Sequence, residues 1–247
     1  MKHVPICIGI VGKRQSGKDI AASMINYILG VGVAKADYYT WLNKASVYSN
    51  STNIIHFADT LKEWCSQMFD ININYFNNTD YKDNYVYCFT EQSFHTRHDL
   101  NTKKYKEITI EDLNKVNATL PLARLACAKE GRCSVISLRT IMQYVGTNVF
   151  RNRISKDIWV DLTMLKVDTI VLTRPCIIAD VRFENEADAI RYSEFKTLIL
   201  GIERGNTTDN HESEQQYIKC DVIIENKDSK MALFYKLVST LKDFLKQ

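Results

Sequence analysis

The stretch ICIGIVGKRQSGKDIAASMINYIL, residues 6–29, decides the fold of this chain. A β-branched run at 6–11 leads into two glycines and a lysine, and an amphipathic helix is predicted from about Lys18 to Leu29. The loop GKRQSGKD almost matches the pattern G-x-x-x-x-G-K-[ST], in which backbone N–H groups and a helix N-terminus cradle phosphate oxygens. The preceding strand and the following helix give the context that this pattern requires, so we predict a nucleotide phosphate site.

The loop supplies the residue types that bind nucleotide phosphates. Gly12 and Gly17 let the chain curl, and Lys18 is placed to reach the β- and γ-phosphates of ATP. Further ATP contacts are expected from the cationic and polar residues of the loop, Lys13, Arg14 and Ser16. The alternative is a chance glycine-rich turn between a strand and a helix.

Asp19 departs from the pattern, because the hydroxyl residue normally found at that position ligates Mg²⁺. A carboxylate is also a hard oxygen ligand for Mg²⁺, and in the first helical turn it interacts favourably with the helix dipole. A carboxylate close to a phosphate repels it unless a metal ion lies between the two. We therefore expect Mg²⁺ as cofactor, with Asp19 holding it directly or through water.

Further elements alternate along the chain. Strands are predicted at 54–58, 176–181, 197–203 and 221–226. Helices are predicted at 58–69, 137–150, 157–167, 184–193 and 229–245, the first with Leu61, Trp64, Cys65 and Met68 on one face. Because each strand is a short continuous apolar run, the pattern predicts an α/β fold, a parallel sheet of about five strands with helices on both faces.

The segment 71–134 differs in character from the rest of the chain. It is rich in Asn, Tyr, Lys and Thr, and its apolar periodicity is weak, with one short helix predicted at 111–117. The chain has only three prolines and no Pro-rich linker. We therefore predict one domain over 1–247, with 71–134 as an inserted lid or acceptor-binding lobe.

Composition excludes some classes of function. The net charge of +3 is too small to indicate a nucleic acid polymer or an anionic membrane as partner. No apolar run approaches the ~20 residues of a membrane span, and no secretory signal is recognisable at the start. The seven cysteines form no C-x-x-C pair, and we expect them to be reduced in a cytoplasmic protein. The sequence leaves open whether the chain forms a homodimer.

Comparison with the known classes of nucleotide-binding protein excludes two of them. Guanine-specific switches carry N-K-x-D, which ENKDS at 225–229 misses by one residue, and D-x-x-G, where DVRF at 180–183 has Phe183 instead of glycine. Motor ATPases carry an apolar run ending in Asp-Glu, which is missing here. Small-molecule kinases remain, and these need cationic groups around the phosphates and a lid that excludes water.

A set of motifs in this order carries a family resemblance: GKRQSGKD, FADTLKE, SLRTIMQYVGTNVF with DIWVD, IIADVRFENEADAI, NHESE and DVIIEN. Together they resemble the deoxynucleoside-monophosphate kinases of large bacteriophages and DNA viruses, which share the Lys-Asp ending of the loop. The animal-type phosphomevalonate kinases are similar more distantly. The resemblance covers most of the chain apart from 71–134. It implies a P-loop kinase fold, ATP as donor, Mg²⁺, a deoxynucleoside monophosphate as acceptor and, for a viral protein, the host cytoplasm.

The resemblance also implies roles for particular residues. Arg139 would clamp the acceptor phosphate, and Trp159 would cover the base or pack the pocket wall. Asp180 and Arg182 follow a strand, where ligands of open α/β sheets bind; Asp180 would hold Mg²⁺ or water, and Arg182 would stabilise the transferring phosphoryl group. Glu186 would orient one of these two within the acceptor region.

Less specific readings of the same residues stay open. Arg139 as a solvated surface residue, Trp159 as a core residue and Glu186 as an exposed helix-face residue are the ordinary alternatives. For the whole chain the rivals are a kinase of another phosphorylated acceptor, such as phosphomevalonate, and a nucleotide-binding viral accessory protein without turnover.

Overall fold

The computed structural model describes residues 4–13, 15–78, 81–82, 86–89, 106–109, 132–205 and 218–246. The chain divides into two compact units, Met1–Asp59 with Trp159–Gln247, and Thr60–Ile158. Within the described ranges, no helix has both the length and the apolar character that crossing a membrane would require.

The elements are numbered in chain order. The strands are β1 (Ile6–Val11), β2 (Ile54–Ile55), β3 (Val86–Phe89), β4 (Lys106–Thr109), β5 (Arg132–Ser137), β6 (Cys176–Val181), β7 (Lys196–Glu203) and β8 (Val222–Glu225). The helices are α1 (Lys18–Val31), α2 (Tyr38–Asn43), α3 (Ala45–Ser49), α4 (Asp59–Phe69), α5 (Ile73–Asn77), α6 (Leu138–Gln143), α7 (Ile158–Val171), α8 (Glu184–Arg191) and α9 (Lys230–Lys246). A 3₁₀ turn covers Val33–Lys35 and a π-helical segment covers Tyr144–Arg151.

The first unit contains the five-stranded parallel sheet that the sequence predicts. The strand order is β2-β6-β1-β7-β8, and every neighbouring pair is parallel. In the centre, Ile8 lies opposite Ile177 of β6 on one side and Leu198 of β7 on the other. Since all five strands run in the same direction, the residues that follow them meet at one edge of the sheet.

Helices cover both faces of this sheet, and alternate residues of β1 belong to different cores. Ile8 and Ile10 pack in a core with α1 and α9, whereas Cys7 packs in a second core with α7 and α8. Burial on both faces explains why β1, β6 and β7 are continuous apolar runs rather than alternating ones.

The strand predicted at 54–58 is shorter in the structure and ends at Ile55. The reason is a turn at 56–59. Asp59 N donates to His56 O at 3.0 Å, and His56 N donates to Asp59 Oδ2 at 2.8 Å. These bonds occupy the backbone groups that would otherwise continue the strand, and they start α4 at Asp59.

The second unit contains an antiparallel sheet of order β3-β5-β4 together with helices. Leu61 of α4 packs against Gly146, where a side-chain methyl would lie 2.7 Å from Leu61 Cδ2. The rings of Trp64 and Phe150 lie 5.2 Å apart. By its range in the sequence this unit includes the segment 71–134, of which 71–78, 81–82, 86–89, 106–109 and 132–134 are described.

Two predictions for this unit have different outcomes. On the predicted apolar face of α4, Leu61 and Cys65 are buried, whereas Met68 is 53% exposed. The helix predicted at 111–117 lies outside the described residues.

The helix predicted at 137–150 forms, but its winding changes along its length. Ser137 caps α6, its Oγ accepting the N–H of Thr140 at 3.2 Å. After Gln143 the helix continues as the π-helical segment, where Val145 and Gly146 are buried. Wide π turns of this kind are uncommon and often lie at functional sites.

Candidate active site

The loop between β1 and α1 folds as a tight curl. Ser16 N donates to Lys13 O at 3.1 Å, which closes a turn. Gln15 has φ of 64° and Gly17 has φ of 97°, both in the left-handed region. After Gly17 the chain enters α1, whose free N–H groups point back into the loop. This is the geometry that phosphate-binding loops use.

Both glycines of the motif are required by close packing. A methyl at Gly12 would lie 2.5 Å from Ser16 Oγ and 2.8 Å from Ile202 O. A methyl at Gly17 would lie 2.5 Å from Asn226 Nδ2, and the positive φ disfavours a side chain there as well. The alternative of a chance glycine-rich turn gives no reason for such constraints at both motif positions.

Ser16 is a buried polar residue inside the curl. It is 2% exposed, and within the described part of the chain its Oγ has no hydrogen-bond partner. A buried hydroxyl without a partner is costly, and a bound anion would supply the missing acceptor. Ser16 therefore fits a loop that encloses phosphate.

The charged residues of the loop have different exposures. Lys18 is partly buried, and its Nζ donates to Lys13 O at 3.5 Å, while Lys13 itself is exposed. Asp19 is exposed in the first turn of α1. Arg14 lies outside the described residues.

Asp180 lies at the carboxyl end of β6, the strand next to β1. It is 7% exposed, and its Oδ1 accepts the N–H of Phe57 at 3.0 Å. Phe57 belongs to the turn after β2, so this carboxylate ties the ends of two neighbouring strands together. A largely buried carboxylate beside the loop is also a suitable ligand for a hard cation.

Arg182 and Glu186 lie just beyond β6. Arg182 is exposed, and its N–H donates to Glu186 Oε2 at 2.8 Å. The N–H of Phe183 donates to the same oxygen at 3.2 Å. Glu186 is 1% exposed, so the alternative of an exposed helix-face residue is wrong; its carboxylate caps the start of α8 and fixes the backbone of Arg182.

The two residues expected at the acceptor are placed differently. Arg139 lies in the first turn of α6, in the second unit, and is partly exposed. Trp159 begins the part of α7 that belongs to the first unit and is 2% exposed. Such burial agrees with packing a wall, or with the core alternative, rather than with offering an open ring face to a base.

Sequence reasoning missed one residue of this site. Asn226 follows β8, is 7% exposed, and donates from Nδ2 to Ser16 O at 2.8 Å. The signal was the motif DVIIEN, in which a polar residue directly follows a strand of the sheet. It thereby lies at the same edge as the loop.

Nucleophilic chemistry is disfavoured at three of the cysteines, Cys7, Cys65 and Cys220. Burial raises the pKa of the Cys65 thiol to about 12 and that of Cys220 to about 11. Hydrogen bonding with Cys176, together with burial, raises the pKa of Cys7. These three thiols stay protonated near pH 7 and are therefore poor nucleophiles.

A family model for deoxynucleotide monophosphate kinase matches residues 6–237. The chain belongs to the deoxynucleotide monophosphate kinase family. The match begins at β1 and continues into α9, so it spans the loop, Asp180, Arg182 and Asn226. Comparison with curated proteins gives no match. The resemblance to this family and the P-loop kinase fold are thereby confirmed, and the chain is a member of a phosphotransferase family.

The donor set of this edge fits Mg²⁺. Asp19 and Asp180 supply carboxylate oxygens, which are the ligands that Mg²⁺ prefers, and Mg²⁺ commonly takes one or two carboxylates together with substrate phosphates. No cluster of three or more His, Cys, Asp or Glu side chains suited to a metal occurs among the described residues. Asp19 and Asp180 are the residues that the sequence leads us to expect at such an ion.

Proposed function

We propose that this protein transfers the γ-phosphoryl group of ATP to a deoxynucleoside monophosphate, giving a deoxynucleoside diphosphate and ADP. In the reaction the bond between Pγ and the β–γ bridging oxygen breaks, and a bond forms from an acceptor phosphate oxygen to Pγ. The observation that carries the proposal is the curl between β1 and α1 in a chain of this family. The curl has two sterically required glycines and a buried Ser16 hydroxyl that forms no hydrogen bond with any described residue.

The donor side of the site is proposed as follows. The loop amides and Lys18 bind the β- and γ-phosphates, with Lys13 and Arg14 adding positive charge. Bound Mg²⁺ would neutralise charge on the phosphates during transfer. Asp19 and Asp180 would hold this ion through their carboxylate oxygens. Asp180 also keeps the turn after β2 in place through the Phe57 N–H.

The acceptor side is proposed with Arg139 and Trp159, and the transferring group with Arg182 and Glu186. Arg139 binds the acceptor phosphate with its planar guanidinium, and Trp159 packs the wall of the pocket. Arg182 compensates charge on the transferring group, while Glu186 acts through Arg182 by holding its backbone N–H. The protein thus works by positioning and charge compensation, without a covalent intermediate.

The test is a coupled ADP-release assay on the purified chain with Mg²⁺ and ATP. The acceptors are the deoxynucleoside monophosphates, the matching ribonucleotides, and phosphomevalonate. We expect turnover with at least one deoxynucleoside monophosphate and loss of turnover when Mg²⁺ is chelated. Turnover with phosphomevalonate alone would assign the chain to another acceptor, and ATP binding with no turnover on any acceptor would make it a non-catalytic nucleotide-binding protein.

A further inference from the structure

We propose that Asn226, at the end of β8, is a positioning residue that holds the phosphate loop through a hydrogen bond. The inference rests on the ATP site of the proposed function. Asn226 is separated from the loop by two hundred and ten residues of sequence, since its partner is Ser16. Its role is to aim a backbone amide of the loop rather than to touch the reacting atoms.

Asn226 is itself held firmly. Its backbone N–H donates to Glu203 O at 2.6 Å, which fixes the chain just beyond the β7–β8 ladder. Its side chain is 7% exposed, and Nδ2 donates to Ser16 O at 2.8 Å. Because both its backbone and its side chain form hydrogen bonds, Asn226 is fixed in position and in turn fixes the loop.

The hydrogen bond fixes the orientation of one peptide plane. The described residues contain no cis peptide bond, so in the peptide between Ser16 and Gly17 the C=O and N–H groups point in opposite directions. Because Asn226 binds Ser16 O, the N–H of Gly17 points away from Asn226 and is kept free for an anion. The Ser16 hydroxyl, which has no partner among the described residues, lies on the same residue.

Asn226 packs closely against the loop. The position of a methyl on Gly17 lies 2.5 Å from Asn226 Nδ2, so the two residues are in direct contact. An aspartate at 226 would set a carboxylate oxygen against the Ser16 carbonyl, and an alanine would leave that carbonyl without its donor. Both changes free the peptide plane to rotate, and the loop loses preorganisation for phosphate.

The experiment compares Asn226→Ala and Asn226→Asp with Asn53→Ala. Asn53 is a matched control, a 3% exposed asparagine whose Nδ2 donates to Asn26 Oδ1 at 2.9 Å and to Pro175 O at 2.8 Å, before β6 begins. ATP affinity with Mg²⁺ is measured by titration calorimetry on folded protein. The affinity for inorganic tripolyphosphate is measured by competition with ATP, and thermal unfolding is followed for every variant.

We expect both Asn226 variants to bind ATP and tripolyphosphate at least about tenfold more weakly, and by a similar factor for the two ligands. Asn53→Ala should lower thermal stability while leaving both affinities within twofold. Unchanged ATP affinity in Asn226→Ala overturns the inference, as does a loss confined to Asn226→Asp, which would indicate charge repulsion.

Three further outcomes are decisive. A loss for ATP without a loss for tripolyphosphate would place Asn226 at the nucleoside and overturn the positioning role. If the parent protein binds no ATP, the proposed function fails and the inference fails with it. If the parent binds ATP and all Asn226 variants bind it equally well, the inference alone fails. Should Asn226→Asp not fold, Asn226→Ala gives the same readout.

Discussion

At the scale of single residues, the start of α1 places opposite charges side by side. Lys18 and Asp19 are consecutive, and they follow a glycine in the left-handed region that ends the curl. In the proposed reaction the ammonium faces phosphate oxygens, whereas the carboxylate needs a cation between itself and those oxygens. The two residues therefore give separable predictions.

Lys18→Ala is expected to lower turnover by more than about 100-fold while the fold is retained. The reason is that Lys18 compensates charge that increases in the transition state. The measurement is kcat in the ADP-release assay beside the thermal midpoint. Lys242→Ala, which removes an exposed lysine of α9, serves as the matched control. Normal turnover in Lys18→Ala would show that the loop has been misassigned.

Asp19→Ser and Asp19→Lys should behave differently. The serine restores the usual hydroxyl ligand of this loop and should keep partial activity, whereas the lysine should abolish turnover because it displaces the cation. The dependence of kcat on Mg²⁺ concentration is the measurement, and the serine variant should need a different Mg²⁺ concentration for half-maximal rate. A lysine variant as active as the parent would contradict a role on the metal side.

At the scale of elements, the site is made by connections between strand ends. Asp180 joins the end of β6 to the turn after β2, and Glu186 joins the end of β6 to the first turn of α8. Each connection is a hydrogen bond to a backbone N–H, that of Phe57 in the first case and that of Arg182 in the second. The loops of the site are thereby fixed before any ligand binds.

The variants Asp180→Asn and Asp180→Ala test two roles separately, the charge of the carboxylate and its hydrogen bond to the Phe57 N–H. The asparagine can still accept the Phe57 N–H, so it should unfold in urea like the parent but turn over at least about 100-fold more slowly. The alanine should show the same loss of rate and also be less stable by about 1–3 kcal/mol, since it leaves the buried N–H unsatisfied. Full activity of Asp180→Asn would exclude use of the carboxylate charge.

Local sequence patterns predicted the helices and strands, but they did not predict contacts between residues that are distant in sequence. The spacing of Gly12, Gly17 and Lys18 and the apolar runs of β1, β6 and β7 are short-range signals, and they gave the loop and the sheet correctly. The end of β2 at Ile55 depends on hydrogen bonds to Asp59 and Asp180, which periodicity does not encode. The burial of Glu186 was missed for the same reason, because a helix-face pattern assigns it to solvent.

At the scale of the whole molecule, the predicted phosphate-binding arginines belong to different compact units. Arg182 lies in the unit that carries the parallel sheet, and Arg139 lies in Thr60–Ile158. The division follows the chain, since the second unit is inserted between β2 and β6. A kinase of this design would separate residues that act on the acceptor from residues that act on the transferred group.

Arg139→Ala and Arg182→Ala should therefore differ in steady-state kinetics with ATP saturating. Loss of Arg139 removes binding present in both ground and transition states, so the acceptor KM should rise at least about tenfold with a smaller change in kcat. Loss of Arg182 should chiefly lower kcat, by about 100-fold. Lysine should rescue either position poorly, because an ammonium lacks the planar fork.

The control for these variants is Arg174→Ala, an exposed arginine that precedes β6 at the opposite end of that strand. It should leave both kinetic constants near those of the parent. If Arg139→Ala and Arg182→Ala only weaken ATP binding, and by equal factors, the division of roles is wrong.

The strand order has a consequence for how the protein is made on the ribosome. The central strand β1 emerges early, but both of its neighbours, β6 and β7, are synthesised after the inserted unit. At roughly 5–20 residues per second, β1 waits about 10–40 s for β7. Asn226, which holds the phosphate loop, comes later still. The phosphate loop is therefore synthesised well before the residues that hold it in place. During that time β1 is an apolar strand without its neighbouring strands, which is the kind of segment that chaperones bind.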